Sequence, residues 1–201
     1  MPDVPDVQRP HDQSLFTLIT EDYRRHGRSL TEPAFVSLVI YRYGRWAWQR
    51  KNPVARWFGT KLYGVMKVLI LNITKVWIPP QTTIGADFHI IHAEGYLSIH
   101  PDSIIGDRCG VMHNVTVGTN MGPGAPVIGD DVFIGVNSTV LGPIRIGDRV
   151  RIGANTSVTT NVPSDSIVIG SPGKIYKRLT PFGPTGQQSP KGQASAQAKE
   201  T

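Results

Sequence analysis

A single cysteine, Cys109, stands in a chain of 201 residues, which excludes a disulfide framework and any structural zinc site built on cysteines. No run of 18 apolar residues occurs, so no membrane-spanning helix is expected. The opening residues, MPDVPDVQRPHD, lack the apolar centre of a secretory signal, and a cytoplasmic protein is the expectation. Acids are scarce in one part of the chain only. Residues 1–77 hold 12 Lys/Arg against 6 Asp/Glu, whereas residues 78–201 hold 9 of each. Between Arg24 and Lys75, 11 basic residues meet one acid, Glu32. Such a surface suits an anionic partner, or is simply a solvated basic face. Turn-formers are plentiful: 21 Gly and 16 Pro rule out a plain helical bundle for the whole chain.

Four segments are legible. Residues 1–12 read as a flexible leader, 13–77 as a helical lobe, 78–179 as a repeat domain and 180–201 as a low-complexity, disordered tail. Asn52-Pro53 marks a helix start, with Asn as N-cap and Pro in the first turn. From there Phe58, Leu62, Val65, Met66, Leu69, Ile73 and Val76 recur at three- and four-residue steps, opposite Arg56, Lys61, Lys67 and Lys75. That pattern predicts an amphipathic helix whose apolar stripe is buried. The preceding stretch carries Phe35, Tyr41, Tyr43, Trp46 and Trp48. These aromatics are expected to form a helix seam, with a membrane-surface helix as the alternative.

The repeat decides the fold class. Aliphatic residues fall every six positions: Ile78, Ile84, Ile90; Ile99, Ile105, Val111, Val117; then Ile128, Ile134, Val140, Ile146, Ile152, Val158. Insertions interrupt the phase after Ile90 and after Val117. Six residues make one short strand and one turn, and three such units close a triangular coil that stacks on the previous one. The aliphatic residue fills the axis. The position four further on is small or β-branched (Ser103, Cys109, Val115, Val132, Ser138, Val150, Thr156) and also points inward, so Cys109 reads as core filler.

In this phase the units at 90 and 111 are the third faces of successive coils, and His92 and His113 occupy the same place in each. Coils stack about 4.8 Å apart, so the two imidazoles are predicted to be vertical neighbours. Val136 and Ala154 continue their column. The other histidines, His11, His26, His89 and His100, read as solvated. The spacings do not suit a zinc site, and no metal is expected.

The pattern resembles the hexapeptide-repeat acyltransferases. Residues 84–95, IGADFHIIHAEG, and 99–118, IHPDSIIGDRCGVMHNVTVG, are similar to two consecutive coils of the serine acetyltransferases. Tyr41-Arg42-Tyr43 and Trp46-Ala47-Trp48 are similar to that family's helical lead. The resemblance implies a left-handed parallel β-helix, mainly β, behind a small α-helical lobe, assembled as a homotrimer. It implies O-acetyl transfer from acetyl-CoA, with His92 as general base and His113 beside it. No Ser-His-Asp set or nucleophilic Cys is evident, which favours direct transfer. Gly118, Gly135, Val136, Gly153 and Ala154 would line the acetyl-CoA groove, with Lys174, Lys177 and Arg178 at phosphate. Glu94 and Asn114 are the candidate substrate contacts, and residues 119–127 would cover a neighbouring subunit's site.

Three departures bear on the acceptor. Where the family carries an acid that pairs with the histidine, this chain has Trp77; before the histidine, Ile91 replaces an Asp; and an Arg-His pair is missing from residues 119–126. An amino acid would lose partners for its charges. The expected acceptor is therefore a sugar hydroxyl of a polysaccharide or lipid-linked precursor, with serine as the alternative. The basic lobe would associate peripherally with a membrane. A non-catalytic scaffold fits poorly with the intact His-Ala-Glu-Gly, and nucleic-acid binding lacks a reader motif.

Overall fold

The computed structural model describes residues 13–177 other than Ala93. The predicted leader, the tail, His11 and Arg178 lie outside these residues. Three helices, α1 (Leu15–Arg25), α2 (Pro33–Trp48) and α3 (Pro53–Thr74), precede a left-handed parallel β-helix.

The β-helix has three faces. Each face stacks one short strand per coil: Ile99, Val117, Val140 and Val158 align on the first, Ile84, Ile105, Ile128 and Ile146 on the second, and Ile90, Val111, Ile134, Ile152 and Val168 on the third. All but Val168 are phased aliphatic positions, and together they form one continuous buried core. Each fully buried aliphatic side chain contributes about 1.5–3 kcal/mol. Ser103, Cys109, Val115, Val132, Ser138, Val150 and Thr156 are buried with them. Cys109 donates its thiol to the Gly129 carbonyl at 3.1 Å, and burial pushes its pKa up, so it fills the core.

Coil corners explain the glycines. At one corner Asp107, Asp130 and Asp148 each accept, at 2.8–2.9 Å, from the backbone N–H of Ala86, Asp107 and Asp130 in the coil beneath. A Cβ on Gly106 would overlap the Asp130 carboxylate and lie 2.7 Å from the Gly129 backbone. At another corner Asn114, Asn137 and Asn155 adopt positive φ, tolerated by Asn, and their amides chain together at 3.0 and 3.2 Å. The last strand, Lys174–Lys177, turns back antiparallel on Ser166–Ile169.

An open β-helix end would leave Ile78, Ile84, Phe88 and Ile90 wet, and α2 covers it. Ala34, Leu38 and Tyr41 join the same core, and the Tyr41 hydroxyl donates to the Thr82 carbonyl at 2.8 Å. A buried ion pair locks this cap. Arg42 Nε donates to Asp22 at 2.8 Å, and its Nη atoms donate to the Ile84 and Gly85 carbonyls at 2.7 and 2.6 Å. The Phe88 N–H donates to Asp22 at 3.2 Å, so one network ties α1, α2 and the first coil. Arg42 is thus a structural cation, not part of the basic surface that its sequence context suggests.

The prediction for α3 needs correcting. Asn52 caps the helix as expected, accepting from the N–H groups of Val54 and Ala55. The buried stripe, however, is Gly59, Tyr63, Ile70 and Thr74. Phe58, Leu62, Val65, Leu69 and Ile73 face outward instead, each more than half exposed. Small residues decide this. A Cβ on Gly59 would meet the Ala47 Cβ at 2.8 Å, and one on Gly44 would strike the Tyr63 ring. The helices approach through this narrow seam, leaving the bulky stripe outside. Phe35 and Tyr41 are buried as the seam reading expects, while Trp46 and Trp48 are exposed. Among the described residues no helix is long and apolar enough to cross a membrane.

Candidate active site

The third face ends at a corner where the chain swings toward the first. There the insertion after Ile90 falls, between His92 and Tyr96. His92, at this corner, takes positive φ, 64°. The parallel pairing of Ile90 with Val111 sets His113 one coil above, as the six-residue phase predicts. The two rings meet edge to face, with centroids 6.2 Å apart.

The two histidines differ in surroundings. The His92 side chain is 61% exposed, and its Nδ1 lies 3.9 Å from the Glu94 carboxylate, beyond a direct hydrogen bond. His113 is half-buried, and its Nδ1 is buried without a hydrogen-bond partner. Gly95 packs directly against it. The Asn114 amide is committed to the corner, accepting from the Tyr96 N–H at 3.1 Å and donating to Asn137. Such a pair can relay or accept a proton at an open surface.

Above His113 the column continues with half-buried Val136 and exposed Ala154. Gly135 and Gly118 are buried at their strand ends, and a Cβ on Gly135 would meet the Ala154 nitrogen at 2.7 Å. Gly153, with ordinary room around it, is half-buried. Lys174 and Lys177 are exposed on the last strand. Residues 119–126 protrude between the first and second faces, with Met121 fully exposed. A separate cavity of about 510 Å³ is lined by Gln13, Arg45, Trp46, Arg50 and Thr83 among others, and by no histidine.

Three other histidines are not the solvated residues the sequence suggested. His26 is buried: its Nε2 accepts from the Ile90 N–H at 3.3 Å, which makes Nδ1 the donor to the Asp22 carbonyl at 2.7 Å. His89 meets it edge-on at 5.0 Å. Burial, then the nearby positive potential of His26, Arg25 and His92, pushes the His89 pKa down to about 4. His100 is half-buried and accepts from the Asp102 N–H at 3.2 Å. Sequence patterning missed these contacts because each joins segments, or turns a corner, outside the six-residue period. Among the described residues no three His, Cys, Asp or Glu side chains converge as a metal site.

The bacterial transferase hexapeptide family (six repeats) matches residues 125–160. A serine acetyltransferase of Synechococcus elongatus is 34% identical over 152 residues, covering 74% of this chain and 59% of the relative. One of Bacillus pumilus is 30% identical over 154 residues, covering 71% of this chain and 68% of the relative. Soybean serine acetyltransferase complexed with serine superposes with a TM-score of 0.70 at 27% identity, covering 82% of this chain and 70% of that one. The chain spans about three fifths of the length of the first curated relatives it matches, 59%. These likenesses overturn the expectation of a sugar or polysaccharide acceptor. It rested on missing charges at Trp77, Ile91 and residues 119–126, whereas the relatives named above are serine acetyltransferases. The chain belongs to the serine acetyltransferase family of hexapeptide-repeat transferases.

Proposed function

We propose that this chain transfers an acetyl group from acetyl-CoA to the hydroxyl of serine, giving O-acetylserine and free CoA. The observation that carries the reading is the exposed His92 beside Glu94 and His113, at the corner of a chain whose relatives are serine acetyltransferases. His92 takes the hydroxyl proton as the oxygen attacks the thioester carbonyl, the C–S bond breaks, and the departing thiolate recovers the proton. No covalent enzyme intermediate is involved. Cys109 is buried with its pKa raised and takes no part.

Glu94, at an open corner, supplies a carboxylate for the serine ammonium, a role the missing acids at Trp77 and Ile91 left unassigned. Asn114 positions the corner through its amide ladder. The shrinking column from His113 to Val136 to Ala154 leaves room for the pantetheine arm along Gly118, Gly135 and Gly153, and Lys174 and Lys177 reach the nucleotide phosphates. A coenzyme A complex of a Brucella abortus serine acetyltransferase, alike in fold at a TM-score of 0.68, supports the choice of donor. The same proposal makes the protein a cytoplasmic homotrimer. Residues 119–127, with Met121 bare, cover the neighbouring subunit's site.

Thiol release from acetyl-CoA tests the reading, with serine in one series and a panel of sugars in another. Serine-dependent release that is lost in His92→Ala is expected. Absence of release with serine overturns the proposal.

A further inference from the structure

The outer face of α3 is apolar along its length. Phe58, Leu62, Val65, Leu69 and Ile73 are 53–74% exposed, on the side opposite the seam with α2. Trp57 lies beside them, edge to face with Phe58 at 4.8 Å and with Lys61 over its ring at 5.9 Å. A bare stripe this long on a water-exposed helix needs a partner.

The charges say which kind. Lys61 borders the stripe beside Trp57, Arg56, Lys67 and Lys75 are spread around the rest of the helix, and no Asp or Glu occurs anywhere from residue 33 to residue 77. A second copy packed on the same face would set these cations against their own duplicates with no local acid between them, which opposes a self-complementary contact. An anionic lipid surface answers both features at once: headgroups meet the Lys and Arg side chains, and the stripe enters the acyl boundary. The tryptophan beside the stripe, with one polar edge, suits that depth. The helix would lie on the bilayer, since it does not qualify to cross one.

We infer that the outer face of α3 docks the protein on anionic membrane surfaces. This does not depend on which acceptor is acetylated.

Co-sedimentation with phosphatidylglycerol–phosphatidylcholine vesicles tests it, with phosphatidylcholine vesicles alongside. Binding to the anionic vesicles only, weakened by added salt, is expected. The triple variant Leu62→Ser, Val65→Ser, Leu69→Ser changes exposed side chains and should keep its fold and thiol-release activity. It should bind roughly tenfold more weakly or worse, since each apolar side chain removed forfeits its transfer free energy. Lys61→Glu should reduce binding likewise. A vesicle-induced blue shift of tryptophan emission that disappears in Trp57→Phe would add support. No sedimentation with anionic vesicles at low salt overturns the inference. So does a fall in solution mass of the triple variant by light scattering, which would show that a second copy covers the stripe.

Discussion

Gly95 lies so close to His113 that a Cβ added to it would sit 2.6 Å from the histidine's own Cβ and 2.8 Å from the Asn114 side chain. The glycine of His-Ala-Glu-Gly is therefore needed for steric reasons, because it lets the corner bearing His92 fold tightly against the coil carrying His113. Gly95→Ala is expected to push these elements apart and to lower kcat/KM by about 10–100-fold, the scale of an ångström-level misplacement in a catalytic site. The far-ultraviolet circular dichroism should stay unchanged. Full activity in the folded variant would show that the close approach does not matter.

His92→Ala should lower kcat by at least about 100-fold, the scale of losing a general base, in a protein that unfolds at the wild-type urea midpoint. His113→Ala should have the smaller effect. The reverse order would exchange their roles.

The Asp22–Arg42 pair holds the helical cap in place from full burial. Asp22→Ala strands a buried guanidinium and should cost about 3–5 kcal/mol. Pairing it with Arg42→Met should recover part of that loss, because the orphaned charge is gone. Urea denaturation of the two single variants and the double variant measures the coupling, and strict additivity would refute it.

His89 gives the fold a pH dependence. Its folded pKa of about 4 lies below the ordinary histidine value of about 6.5, so between these limits the unfolded chain binds the proton and the folded chain does not. Its stabilising contribution is present above about pH 6.5 and is lost as the pH falls toward about 4. Allowing for its partial exposure, the loss is about 1–2 kcal/mol. Urea midpoints at pH 7 and pH 4.5 should differ less in His89→Gln than in the wild type, and equal differences would discount the residue.

Much of this molecule is legible in one dimension because a β-helix is built by local repetition. A six-residue period fixes which side chains enter the axis and which stack, so the alignment of Ile90 with Val111, and with it the neighbouring of His92 and His113, follows from counting. The family followed from motifs at that same corner. The acceptor did not: the missing charges at Trp77, Ile91 and residues 119–126 point to a sugar, whereas the relatives are serine acetyltransferases.

Contacts that skip the period were settled by folding alone. The α3 sequence has apolar residues on two sides, and its pattern cannot say which side packs. Gly44, Ala47 and Gly59, brought together from two helices, allow one close seam and turn Phe58, Leu62 and Leu69 outward. Arg42 reads as one more surface cation until folding sets it between Asp22, 20 residues earlier, and two carbonyls of the first coil. His26 accepts a backbone N–H from Ile90, 64 residues away. Periodicity carries information only between neighbours along the chain, and these pairings depend on how the cap closes over the end of the β-helix.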